Sequence, residues 1–210
     1  MYSESEFIKS VFINCPFDST FAPRFRAIVY TLIRLGFVPR CALESGNSGL
    51  RIIKILELIV DCRYGIHDIS MQSLDARTGL PRFNMPFELG LFLGCQHFSD
   101  NANQKSKALL VLDSAPYRFR ESLSDFAGYD VACQDSSPDQ AIQLVRDWLA
   151  NSIGKTMYGA ARLQSEFREF ESQLPGMVAD FASHPDQTSF TDICHLTKEW
   201  GAFPAVRAAG

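Results

Sequence analysis

A chain of 210 residues with 46% hydrophobic and 21% charged residues can build a packed core and does not have the composition of a disordered segment. Its net charge of −4 and pI near 5.6 offer no basic surface to nucleic acid or an anionic membrane, and no stretch reaches the ~18 apolar residues of a membrane span. The opening MYSESEFIKS has no apolar run and reads as no signal peptide; six widely spaced cysteines without a C-x-x-C pair read as reduced thiols, and four unclustered histidines argue against a metal site, so a cytoplasmic setting is expected.

Taken in chain order, Ser10 to Pro16 is a short apolar run stopped by proline and predicts a first strand. Residues 20 to 35 carry Phe21, Phe25, Ile28, Val29, Leu32 and Leu35 at helical spacing, with Gly36 placed to end the helix. Phe37 to Leu43 predicts a second strand, Leu50 to Val60 a second helix and Tyr64 to Ser70 a third strand. A loop of about fifteen residues leads to a helix over 86–97, with Pro86 expected at its first position. Ala108 to Asp113 is a continuous apolar run, as in a strand covered on both faces, and Gly128 to Cys133 is a weaker fifth strand. Ser137-Pro138 opens a further helix.

This alternation of strands and helices predicts an α/β fold, a flavodoxin-like three-layer sandwich around a five-stranded parallel sheet, with the common order 2-1-3-4-5. Residues 154 to 210 break the alternation. They predict a helix carrying Phe167, Phe170, Leu174 and Phe181, kinked or split by Pro175-Gly176, and a short one around 189–200. The chain thus divides into an α/β domain, 1–153, and a helical appendage, 154–210, packed on the sheet or on a second subunit.

In such a sheet, ligands bind beyond the carboxyl ends of the strands where the strand order reverses, here between the first and third strands. That rule gathers Asn14, Pro16, Phe17 and Asp18 from the end of the first strand, and Asp68 and Ser70 from the third. The loop that follows adds Asp75, Arg77, Arg82 and Asn84, and the next helix adds Phe87 and Glu88. The loop exceeds the usual length of a strand–helix connection, and such excess tends to be functional. Neither a dinucleotide fingerprint nor a P-loop is present. Each residue also has a structural explanation: Asp18 can begin a turn, Asp68 can cap a strand end, Arg82 can lie on the surface, and Phe17 and Phe87 can be core. Glu88 can complement a helix dipole, but it shares a helical face with Leu91, Phe92 and Cys95, where a charge needs a partner or a purpose.

The strand ending Asp68-Ile69-Ser70, the loop, and then Asn84-Met85-Pro86-Phe87-Glu88-Leu89-Gly90 resemble the nucleoside 2-deoxyribosyltransferases and their relatives, and Cys15-Pro16-Phe17 is similar to that family's Pro-Phe turn. The wider superfamily includes the Toll/interleukin-1-receptor (TIR) type domains that hydrolyse NAD. The resemblance covers roughly residues 10 to 150. It implies that Glu88 acts on the anomeric carbon as nucleophile or oxocarbenium stabiliser, that Asp68 and Asn84 hold sugar hydroxyls or assist the departing base, and that Pro16-Phe17 form a pocket wall. The transferases carry an aspartate shortly before the glutamate, whereas Arg82-Phe83-Asn84-Met85-Pro86 contains no acid. An arginine there points instead to an anionic substrate such as a nucleotide.

The expected function is cleavage of a nucleotide N-glycosidic bond, NAD foremost, because a cationic nicotinamide leaves without needing a proton. The alternatives are a deoxyribosyltransferase or hydrolase acting on nucleosides or their monophosphates, and a non-catalytic nucleotide sensor or adaptor whose tail serves as the interaction surface. The partner is a nucleotide or nucleoside, with no cofactor, no nucleic acid and no membrane, and a homo-oligomer is compatible with the tail. The helix terminus should lower the pKa of Glu88 and burial should raise it.

Overall fold

The computed structural model describes residues 3–44, 50–71, 79–180 and 188–202. A single turn of helix, α1 (Glu4–Phe7), precedes the sheet. The sequence signal for it is a capping box: Ser3 accepts from the Glu6 backbone while the Glu6 side chain accepts from the Ser3 N–H at 2.9 Å.

Five strands, β1 (Ser10–Asn14), β2 (Val38–Cys41), β3 (Tyr64–Asp68), β4 (Ala108–Asp113) and β5 (Val131–Cys133), form one parallel sheet in the order 2-1-3-4-5. Phe12 stands opposite Arg40 on one side and Gly65 on the other, so β1 and β3 are direct neighbours. Their chains then depart in opposite directions across the sheet, which opens the expected crevice at their carboxyl ends.

The side chains alternate as the pleat requires. Val11, Ile13, Tyr64, Ile66, Leu110 and Leu112 join one core with α2 (Ala22–Arg34) and α6 (Pro138–Ile153). On the opposite face Phe12 packs with α3 (Arg51–Asp61) and with Phe92 of α4 (Asn84–Phe98), while Ile69 and Val111 meet Leu89 and Phe119. Burying each such side chain contributes about 1.5–3 kcal/mol. A short helix, α5 (Ala102–Lys105), leads into β4. The buried Lys107 just after it donates to the carbonyls of Ile59 and Cys62, closing the end of α3. Helix α2 ends as the sequence predicts: Gly36 adopts φ 83°, its N–H donates to Ile33 and that of Phe37 to Leu32.

Two further helices, α7 (Ala160–Asp180) and α8 (Phe190–Ala202), add an outer layer on α2 and α6 rather than on the sheet. Tyr30 of α2 is enclosed by Phe167, Phe170 and Trp200, and Phe190 and Ile193 of α8 enter the main core. Arg26 and Arg34 of α2 are tied to Glu171 and Glu166 of α7.

The first three strands end about two residues earlier than expected, and three further features differ from expectation. Helix α7 runs through Pro175 without a break, because buried Leu163, Phe167, Phe170 and Val178 hold both halves on one packing surface. β5 begins at Val131 rather than Gly128, since Tyr129 is drawn into a turn by its N–H bond to Phe126 and stacks on that ring at 4.1 Å. α4 starts at Asn84, which makes Pro86 its third residue rather than its first. All six cysteines are free thiols, with Cys15, Cys41 and Cys62 buried. Among the described residues no helix is long and apolar enough to cross a membrane.

Candidate functional site

Strand β1 ends in Asn14, which is buried and makes two side-chain contacts. Its amide nitrogen lies 2.9 Å from the carbonyl oxygen of Met85 and 3.1 Å from Nδ1 of His67. The first contact fastens the opening turn of α4 to the sheet. The second fixes a ring that sits wholly buried between Phe12 and Phe92, with centroids 5.9 and 5.0 Å away. Burial holds the His67 pKa down at about 3, so the ring is neutral. Gly65 makes room for this arrangement: a Cβ there would stand 2.6 Å from His67 Nε2 and 2.9 Å from the Phe92 ring.

Glu88 follows one turn after Met85. It is the fifth residue of α4, beyond the first turn where the helix dipole acts most strongly. Its exposure is 9%, and among the described residues it has no hydrogen-bond partner. Burial therefore prevails over the weak opposing pull of Arg51 and raises the carboxyl pKa to about 7. Complementing the helix terminus does not explain this residue. The helix neither holds Glu88 in its ionised form nor supplies it with a partner.

Asp68 closes β3 and is fully buried. It points to the α2 side of the sheet, in phase with Tyr64 and Ile66. One carboxylate oxygen accepts the backbone N–H of Ser70 at 2.9 Å and the Ser70 hydroxyl, and the other accepts the side-chain amide of Gln134, just past β5. Burial still pushes its pKa up against these bonds. Asp68 thus braces the ends of β3 and β5. Beside it, Arg118 joins Asp113 at the end of β4 to the Ser70 carbonyl at 2.6 Å.

Cys15, on the turn after β1, is buried in the core on the α2 side. Burial raises its thiol pKa well above the usual value, and Asp68 and Glu88 both add to the effect while Arg24 opposes it. The Cys15 sulfur therefore stands within electrostatic reach of Asp68 from one face of the sheet and Glu88 from the other.

The other candidates lie at the rim or elsewhere. Pro16 is buried at the turn, whereas Asn84 and Phe87 are exposed, Phe87 at 57%. Arg82 is also exposed and reaches Asp18 at 3.4 Å, linking the two loops at the mouth of the crevice. Phe17 packs edge-on against Phe25 at 5.4 Å, and Phe17 and Asp18 line a separate cavity of about 690 Å³ against α7 and α8. Asp75 and Arg77 lie outside the described residues. The structure brings Asn14, Asp68, Ser70 and Glu88 to one edge of the sheet. Cys15, Arg24 and Gln134, not among the predicted site residues, join them there. Gln134 could have been found as the residue after the last strand; Arg24 had no signal beyond its place in the first turn of α2.

Neither models of known protein families nor characterised proteins give a match to this chain.

Proposed function

We propose that this chain is an enzyme that cleaves the N-glycosidic bond of a nucleotide, with NAD the foremost substrate and Glu88 the catalytic residue. One observation carries the reading: a buried carboxylate with no partner among the described residues, its pKa near 7, above the carboxyl ends of β1 and β3. The resemblance of the Asp68-to-Gly90 stretch to the nucleoside deoxyribosyltransferase and TIR-type superfamily supports it.

In this reading the glycosidic C–N bond breaks with its electron pair going to the pyridinium nitrogen, so nicotinamide leaves neutral and takes up no proton. The Glu88 carboxylate faces the positive charge that develops on the ribose. Water then adds to the anomeric carbon and releases one proton. Asp68 positions Ser70 and Gln134, since its lone pairs are already committed. Asn14 sets the height of α4 above the sheet.

The test is product analysis. Incubation with NAD should release free nicotinamide, and Glu88→Gln should lower turnover by roughly a hundredfold or more, the scale of one lost preorganised electrostatic group. An exchanged nucleoside from deoxynucleosides plus free base would select the transferase reading. No product from either mixture would remove the enzyme reading.

A further inference from the structure

Two arginines are buried among the described residues, Arg40 and Arg24. Arg40 is held by both oxygens of Glu44, at 2.7 and 3.0 Å. Arg24 is 7% exposed, the more buried of the two, yet among the described residues no carboxylate lies within ion-pair distance and its Nε is enclosed without a partner. Its described contact is with the face of the Phe21 ring, 4.1 Å from the guanidinium carbon. Three half-buried arginines of the fold do find acids: Arg26 meets Glu171, Arg34 meets Glu166 and Arg118 meets Asp113.

The position makes this arrangement more costly. Arg24 is the third residue of α2, where the helix dipole is already positive, and no side chain caps that helix. The N–H groups of Ala22 and Phe25 are bonded to the carbonyls of Asp18 and Phe21 and Pro23 has none, so a buried cation at this positive helix end is unfavourable unless an anion meets it. The guanidinium also lies within electrostatic reach of the carboxyl edge of the sheet. Its charge is felt by the Cys15 thiol at the end of β1, by Asp68 at the end of β3 and by Asp135 after β5. Asp68 offsets part of the charge, but its oxygens are occupied by Ser70 and Gln134.

We infer that Arg24, with the first turn of α2, forms a phosphate-binding subsite at the carboxyl edge of the sheet. The planar guanidinium, pinned by Phe21, presents its fork to a phosphate oxygen pair, and the positive end of the helix dipole favours the anion. This rests on the reading of the crevice as a nucleotide site and deepens it: the substrate class is a nucleoside phosphate or diphosphate rather than a nucleoside. Arg82, exposed and paired with Asp18, stays at the rim.

The experiment is titration of the full chain with inorganic pyrophosphate, by calorimetry and by thermal melt. The native protein should bind it and melt higher in its presence. Arg24→Met should weaken binding at least tenfold while melting, without anion, at or above the native temperature. Arg24→Lys should fall between them, and Arg82→Ala should change affinity less than threefold. Absence of pyrophosphate binding by the native protein would overturn the proposal. So would equal losses in Arg24→Met and Arg82→Ala, which would reveal only a general field. An Arg24→Met protein that melts far below native would mark a structural arginine and overturn it too. NAD turnover is measured separately: pyrophosphate binding through Arg24 without nicotinamide release keeps the subsite and removes the enzyme reading, and release that survives Arg24→Met with unchanged KM does the reverse.

Discussion

Asn14 donates its side-chain amide to the Met85 carbonyl, so the last residue of β1 fastens the helix that carries Glu88. The second proton of the same amide meets Nδ1 of His67, which must therefore be the acceptor, leaving the ring proton on Nε2. Asn14→Ala leaves the buried Nδ1 of His67 unpaired and strips the Met85 carbonyl of its tie to the sheet, leaving only its bond within the helix. At about 1–3 kcal/mol for an unpaired buried group, the variant should lose about 1–3 kcal/mol of stability in urea denaturation. A loss below about 1 kcal/mol would mean that packing alone holds α4 in place.

Glu88 should make stability depend on pH in the unusual direction. Its folded pKa, about 7, lies above the unfolded value of 4.5, so the native state binds the proton more tightly. The resulting stability is full below pH 4.5 and is lost as pH rises through 7. Glu88→Gln titrates in neither state. The two proteins should be equally stable near pH 4.5. At pH 8 the variant should be the more stable by ~2–3 kcal/mol, since each tenfold gain in proton affinity on folding is worth about 1.4 kcal/mol. A gap that does not change with pH would show that the ionised group has a partner. Turnover through the carboxylate should rise with pH through about 7; a fall over that range would assign Glu88 the role of acid.

His67 should act in the opposite sense. Its folded pKa, about 3, lies below the unfolded 6.5, so its contribution is present above pH 6.5 and is lost as pH falls toward 3. His67→Gln keeps an acceptor for Asn14 and removes the titration. The native protein should lose more stability than this variant between pH 7 and pH 4, as followed by denaturant midpoints. Parallel losses would show that His67 accepts a proton without opening the fold.

Gly65→Ala should be among the more damaging single-methyl additions in the sheet. The new carbon would meet His67 Nε2 at 2.6 Å and the Phe92 ring at 2.9 Å. Overpacking of this kind costs about 1–3 kcal/mol. Phe92→Leu should recover part of the loss in the double variant; strictly additive losses would mean that the Phe92 ring is not what the methyl strikes.

Most of the fold was legible in the sequence because its signals are local. Proline ended the first strand, Gly36 ended α2, and the run Ala108 to Asp113 had the length and apolarity of a covered strand. Pro175 did not split its helix because the proline's local cost was outweighed by the packing of Phe167, Phe170 and Val178, residues whose partners on other elements a single-sequence reading does not show. The site was legible only in outline. Position along the strands identified Asn14, Asp68 and Glu88, but the hydrogen bond that ties Asp68 to the end of β5 comes from Gln134, 66 residues away in sequence. The isolation of Arg24 is a property of its surroundings, which composition and spacing do not encode. Phe17 and Asp18 follow β1 and were assigned to the crevice; both also line the cavity beside α7 and α8, and Asp18 keeps its link to Arg82 at the crevice mouth.

The enclosure of Tyr30 by Phe167, Phe170 and Trp200 reverses the order of synthesis and the order of burial. About fifty residues separate the end of α6 from the end of α8, which at roughly 5–20 residues per second is ~2–10 s of translation. During that interval the outer face of α2, made early, stands bare as an aromatic patch beside a sheet whose strands are already complete. A nascent chain in this state displays the kind of surface that chaperones retain and that neighbouring chains aggregate upon. Helix α8, made about fifty residues after α6, is therefore the one that ends this vulnerability, and it does so by covering the helix whose first turn carries Arg24.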